Sequence, residues 1–262
     1  MAEVLVAAVV LAAVAAAFML WFQKKRGSSS ADSVAPSERL TFKKPEVEES
    51  PSVAEFQRTL GRSAIIEYLP TDTYEKATIT AVANYLSSGK NVVLVSQAPR
   101  AGLYHEKLQY FIEKELVKIV EITAESPLAK PHMFKVATGG GAAQEEEDVK
   151  KVIRVSINNL EYLTEIAEQM PEGSVLIFEA LTNIILSLGK ERKEAVYKFF
   201  SGIVEEMSAK DRTLVAFLNR GAHEASLISA YEGLFVTILQ IEGETLVTLK
   251  GERRRLPFQS LE

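Results

Sequence analysis

The chain contains no cysteine, which excludes disulfides, thiolate zinc sites and cysteine nucleophiles. Its three histidines, His105, His132 and His223, share no metal-binding spacing, so no metal site is expected. No G-x-S-x-G elbow or other nucleophile signature occurs, and no internal repeat at a fixed period is visible. An excess of positive charge is missing too: the formal net charge is -5, which argues against an overall attraction to nucleic acid. What remains is ordinary for a globular protein, with 47% hydrophobic and 25% charged residues over 262 positions, enough for one sizeable domain and some extra segments.

One uncharged apolar run stands out, VLVAAVVLAAVAAAFMLWF from Val4 to Phe22. Its 19 residues are close to the roughly 20 that cross a hydrocarbon core as a helix. Glu3 precedes the run and Lys24, Lys25 and Arg26 follow it, the reverse of a cleaved signal peptide. The basic cluster predicts a single-pass span with the N-terminus outside and the bulk of the chain cytoplasmic, with Trp21 and Phe22 at an interface. The expected organisation is a transmembrane helix within 1–23, a Ser/Pro-rich flexible linker over 24–52, and an α/β domain over 53–262. Such a linker has an r.m.s. span on the order of 30 Å.

From Val53 onward, apolar strand-like runs alternate with amphipathic helices. A short helix VAEFQRTLG leads to the strand SAIIEYL, a helix near Tyr74 to Ser88 closed by Gly89, and the strand NVVLVSQ. A helix around Tyr104 to Glu115 precedes the strand KIVEIT, and FKVAT and KKVIRVSI flank the acidic loop GGGAAQEEED. Beyond them lie a helix over Asn158 to Gln169, the strand SVLIFEA, a helix over Lys190 to Ala209, the strand RTLVAFLN and a helix over His223 to Glu232. VTILQIEG and ETLVTLKGE read as an antiparallel hairpin turned at Glu242-Gly243-Glu244. Continuous apolar strands separated by helices require a mostly parallel sheet covered on both faces.

The stretch IIEYLPTDTYEKAT carries the chemical question. A strand, a turn and a helix form the place where open α/β sheets bind ligands. A phosphate loop reads G-x-x-x-x-G-K-[ST], and laid on Lys76 it gives Pro70-Thr71-Asp72-Thr73-Tyr74-Glu75-Lys76-Ala77. Pro70 removes an N–H where the first glycine should stand, Glu75 puts negative charge beside the phosphates, and Ala77 has no hydroxyl, though Thr78 is one residue on. Asp72 and Glu75 instead fit a capping-box-like helix start, with Lys76 a solvated helix residue.

The order of these elements from about Gly61 to Gly251 resembles the RecA-like ATPases of the KaiC type, and looks like an archaeal branch that has lost the phosphate-loop residues. The landmarks are IIEYLPTDTYEKATITAVANYLSSG, NVVLVSQ, the strand SVLIFEALTNIIL, and the closing AFLN and GLFVTILQIEG. The resemblance implies a catalytic glutamate where Gln97 stands, and an amide is no general base. It also implies an Asp-Ser-Leu-Thr motif where the chain reads Glu179-Ala180-Leu181-Thr182. The implied fold is a RecA-like mostly parallel sheet with a C-terminal hairpin. Together with the span expected at 4–22, the implied role is a membrane-anchored regulatory or protein-interaction module without ATPase activity and without a cofactor, partnered by another protein or by copies of itself. The alternative is a weak ATP-binding protein, or an unusual ATPase, using Lys76, Thr78 and Glu179. Arg253, Arg254 and Arg255 correspond to a region from which ring-forming relatives often supply an arginine to a neighbour's phosphates; a solvated tail is the expectation.

Overall fold

Strand residues that are apolar at every position demand cover on both faces, and the chain supplies it with helices. The computed structural model describes residues 51–124, 152–251 and 254–258, all within the compact unit Leu40–Glu262. Described helices are α1 Pro51–Leu60, α2 Tyr74–Ser87, α3 Arg100–Glu113, α4 Glu161–Gln169, α5 Leu181–Leu188, α6 Lys193–Ala209 and α7 Ala225–Glu232. Strands are β1 Ser63–Tyr68, β2 Val92–Gln97, β3 Val117–Thr123, β4 Val152–Ser156, β5 Val175–Phe178, β6 Thr213–Asn219, β7 Thr237–Glu242, β8 Thr245–Lys250 and β9 Arg255–Pro257.

They form one sheet in the order β4-β3-β2-β5-β6-β1-β7-β8-β9. The pairings from β4 to β7 are all parallel, and β7, β8 and β9 run antiparallel. The architecture is therefore α/β, a mostly parallel sheet flanked by helices and closed by a C-terminal antiparallel hairpin, and it fits the RecA-like fold that the resemblance implies. Two apolar layers sandwich the sheet. Tyr85 and Leu86 of α2, Tyr104 and Leu108 of α3 and Phe56 and Leu60 of α1 pack one face with Ile66 and Leu94. Ile166, Ile184, Phe200 and Tyr231, from the helices α4 to α7, pack the other with Ile65, Val95 and Phe178. Neighbouring β2 and β5 thus send their connections to opposite faces, which opens the crevice where such sheets bind ligands.

Several expectations need correction. The strand SVLIFEALTNIIL is two elements, β5 ending at Phe178 and α5 starting at Leu181, because Glu179 N and Ala180 N both donate to Val95 O and stop β5 there. The helix expected from Tyr104 begins at Arg100, directly after the cis Ala98–Pro99 peptide bond. The end of the chain is not simply a solvated tail: Arg255–Pro257 adds a third strand, with Leu256 buried. Arg254 pairs with Glu55 of α1, and Arg255 with Glu242 of β7 at 3.2 Å. Asp72 does not cap α2; Thr73 occupies the N-cap without a side-chain cap bond, and Asp72 Oδ2 accepts from Leu69 N at 2.6 Å within the turn. Gly89, by contrast, closes α2 as expected, with φ 75° and its N–H on Leu86 O.

The expected span at 4–22, nearly all of the linker, FKVAT, the acidic loop, His132 and Arg253 lie outside the described residues. No helix among the described residues is long and apolar enough to cross a membrane.

Candidate functional site

The register of β2 against β5 aligns Val95 with Phe178, so the next residues, Ser96 and Glu179, meet at the carboxyl ends of both strands. Both are buried, Glu179 to 1% exposure. Ser96 Oγ donates to Glu179 Oε2 at 2.7 Å, and Arg100 Nη1, from the first turn of α3, donates to Oε1 at 3.1 Å. Burial raises the Glu179 carboxyl above its ordinary range, while the Ser96 bond and the Arg100 charge pull it back. A buried charge with a hydrogen-bonded partner of opposite sign is tolerable; the same charge alone is not.

Arg100 ties this carboxylate to the turn after β1. Its guanidinium lies over the Tyr74 ring, 4.5 Å from the centroid, and its Nε is 3.6 Å from Glu75 Oε1. Tyr74 in turn stacks on Tyr68 with centroids 4.3 Å apart. Below them Tyr104 is fully buried, its hydroxyl pushed up first by burial and then by the charge of Glu179. One cation, two carboxylates and three tyrosines therefore occupy the crevice between the ends of β1, β2 and β5.

The turn itself is also engaged. Asp72 N donates to Leu69 O at 2.9 Å while Leu69 N is taken by the Asp72 carboxylate. From one side the hairpin turn approaches: Thr73 Oγ1 donates to Gly243 O at 3.1 Å, and Lys76 Nζ pairs with Glu244 at 2.7 Å. From the other, Gly221 after β6 sits so close that a Cβ there would lie 3.4 Å from both Leu69 and Pro70.

The three candidate nucleotide residues are placed as follows. Thr78 is buried in α2 with its hydroxyl donating to Tyr74 O at 2.9 Å, and it and Glu179 both border Tyr104. Lys76 is half-exposed, and its ammonium is on the hairpin turn with Glu244. Gln97, at the position of the implied base, ends β2 half-buried. A magnesium-bound nucleotide would need an ammonium, a hydroxyl and a carboxylate converging on one point. Each of the three is instead held by a different neighbour, so the residues do not fit that ligand in this arrangement. Sequence reasoning missed Arg100 and Ser96. Among the described residues no cluster of histidine and acidic side chains could hold a metal.

A mostly parallel α/β sheet with its crevice at the carboxyl ends of β1, β2 and β5 defines the class. A scan against family models matches none, and no curated protein has a significantly similar sequence. Among solved structures the chain is similar to PH0250 from Pyrococcus horikoshii OT3, at 14% identity and a TM-score of 0.52, covering 79% of this chain and 96% of that one. It is also similar to the flagellar accessory protein FlaH from Methanocaldococcus jannaschii, at 10% identity and a TM-score of 0.44, covering 80% and 88%. The likeness to PH0250 is one of fold.

Proposed function

We propose that the chain is a membrane-anchored cytoplasmic RecA/KaiC-like domain that has lost the standard ATPase motifs and works as a regulatory or protein-interaction module. Residues 4–22 would be the anchor, with the N-terminus outside and the domain held off the bilayer by the linker. Another protein, or a second copy of the chain, would be the partner. The observation that carries this reading is Arg100, bonded to Glu179 and set between Glu75 and Tyr74 in the crevice where a nucleotide's phosphates would lie.

An intact ATPase keeps such a crevice open for phosphates, with donors unspent until the ligand arrives. In this chain Leu69 N, the Ser96 hydroxyl and the Arg100 guanidinium already have acceptors. The alternative, weak nucleotide binding or hydrolysis through Lys76, Thr78 and Glu179, requires Lys76 to leave Glu244, Thr78 to turn from Tyr74 O and Arg100 to withdraw. The test is a titration of the full chain in neutral detergent with magnesium and ATP, followed both as heat and as released phosphate. No saturable heat and no hydrolysis at millimolar nucleotide is the expected result. Hydrolysis that Lys76→Ala abolishes would establish the alternative.

A further inference from the structure

The opposite end of the strands carries a cleft that the proposed role does not use. It lies where the carboxyl ends of α1 and α2 meet the amino ends of β1 and β6, and has a volume of about 540 Å³. That is within the range of about 300 to 1,000 Å³ common for small-molecule sites. Its lining includes Arg58 at the end of α1, Arg62 before β1, Lys90 after α2, Asp211 before β6 and Tyr85 of α2.

Cations predominate among the charged side chains that line it, Arg58, Arg62 and Lys90 beside Asp211, while two helix carboxyl ends add about half a negative charge each. Arg62 and Asp211 satisfy one another at 2.9 Å on the surface, both more than two-thirds exposed. Lys90 lies over the Tyr85 ring, 5.8 Å from its centroid. Tyr85 lines the cleft and is buried, and its hydroxyl has no hydrogen-bond partner among the described residues. The rim is built from backbone that keeps side chains out. Gly61 and Gly173 lie in the left-handed region at φ 64° and 75°, and a Cβ at Gly173 would meet nothing within 4 Å.

We propose that this cleft binds a small phosphorylated anion, held by Arg58, Arg62 and Lys90, with Asp211 competing for Arg62 when the cleft is empty. The phosphoryl group is the recognised chemistry, whether it belongs to a soluble metabolite or to a lipid headgroup. Because the cleft is at the amino ends of the strands and Arg100 and Glu179 are at the carboxyl ends, the proposal stands apart from the fate of the nucleotide crevice.

The experiment is calorimetric titration of the full chain in neutral detergent at low salt, with inorganic pyrophosphate in one arm and dihexanoyl phosphatidic acid in the other. Saturable binding in either arm is expected, and the arm that binds more tightly identifies the source. Arg58→Ala should weaken it about tenfold through loss of a charge-assisted donor. Asp211→Asn should tighten it severalfold by releasing Arg62; Asp211 has φ 51°, a conformation that asparagine adopts readily. A merely structural role for Asp211 would not produce a gain of affinity. Lys198→Ala, on an exposed pair with Glu194 in α6, should leave binding unchanged. Absence of saturable binding in both arms, or binding that Arg58→Ala and Asp211→Asn alike leave unaltered, overturns the proposal.

Discussion

Glu179 and Glu67 are buried to nearly the same degree, 1% and 4% exposed, and both sit at the carboxyl ends of central strands. Their surroundings differ in the partner supplied. Glu179 follows β5 and faces Ser96 and Arg100, two donors. Glu67 lies in β1 with Gln240 of β7 as its register partner, and the nearby Arg220 gives its Nη1 to Gln240 Oε1 at 2.8 Å. Glu67 Oε1 has no hydrogen-bond partner among the described residues, and its other neighbour is a second carboxyl, Glu232 at the end of α7. Burial, then the bond and charge of Glu232, push Glu67 up to about 7, with Arg220 pulling the other way. Burial raises both carboxyls, and what differs is the offset: Ser96 and Arg100 pull Glu179 back, whereas Glu232 adds to the rise at Glu67 and only Arg220 opposes it.

Removing the partner of the matched ion should have the largest effect. Arg100→Ala leaves Glu179 buried without its cation and should cost about 3 kcal/mol at pH 7, read as a fall in the urea midpoint at unchanged slope. A loss below about 0.5 kcal/mol would remove the distinction between the two glutamates.

Glu67→Gln should act in the opposite direction. A carboxyl raised from 4.5 to about 7 binds its proton more tightly folded than unfolded, so it costs the fold stability as pH rises through that window. The variant lacks that cost. It should match the wild type below pH 4.5 and exceed it by on the order of 2 kcal/mol above pH 7, visible as a flatter stability–pH profile. A profile parallel to the wild type would show that Glu67 does not titrate in this range.

Ser96→Ala deletes one donor to a carboxylate that keeps its arginine and should cost about 1 to 2 kcal/mol in the same denaturation assay. Lys76→Ala removes an ion pair whose partners are 41% and 68% exposed, and a change within about 0.5 kcal/mol is expected. A much larger effect would mean that Lys76 holds something more than Glu244.

The sheet was legible because buried parallel strands carry unbroken apolar runs, as Ala64 to Ile66 in β1, Val92 to Val95 in β2 and Leu214 to Leu218 in β6 do, and because the hairpin announces itself around Gly243. Helix α5 was not, since LTNIILSL continues the apolar run of β5 and periodicity cannot separate a short buried helix from a strand. Strand β9 spans only three residues, too few for an alternation to register. Glu179 was singled out by position, yet its partners were hidden. Ser96 is 83 residues away and Arg100 79, and only the pairing of β2 with β5 brings them together. A signal existed for Arg100, a lone cation directly after Ala98-Pro99 and at the start of an amphipathic helix, but nothing local gives its direction. Thr73 displaced Asp72 at the cap because the Asp72 carboxylate is committed to Leu69 N.

The central claim is that the crevice at the end of β1 is occupied by the chain's own Arg100 and not kept for phosphates. Magnesium-ATP titration of the full chain beside its Lys76→Ala variant tests it most directly. The account predicts no saturable binding by the wild type at millimolar ATP. Micromolar, saturable binding by the wild type that Lys76→Ala abolishes would contradict it.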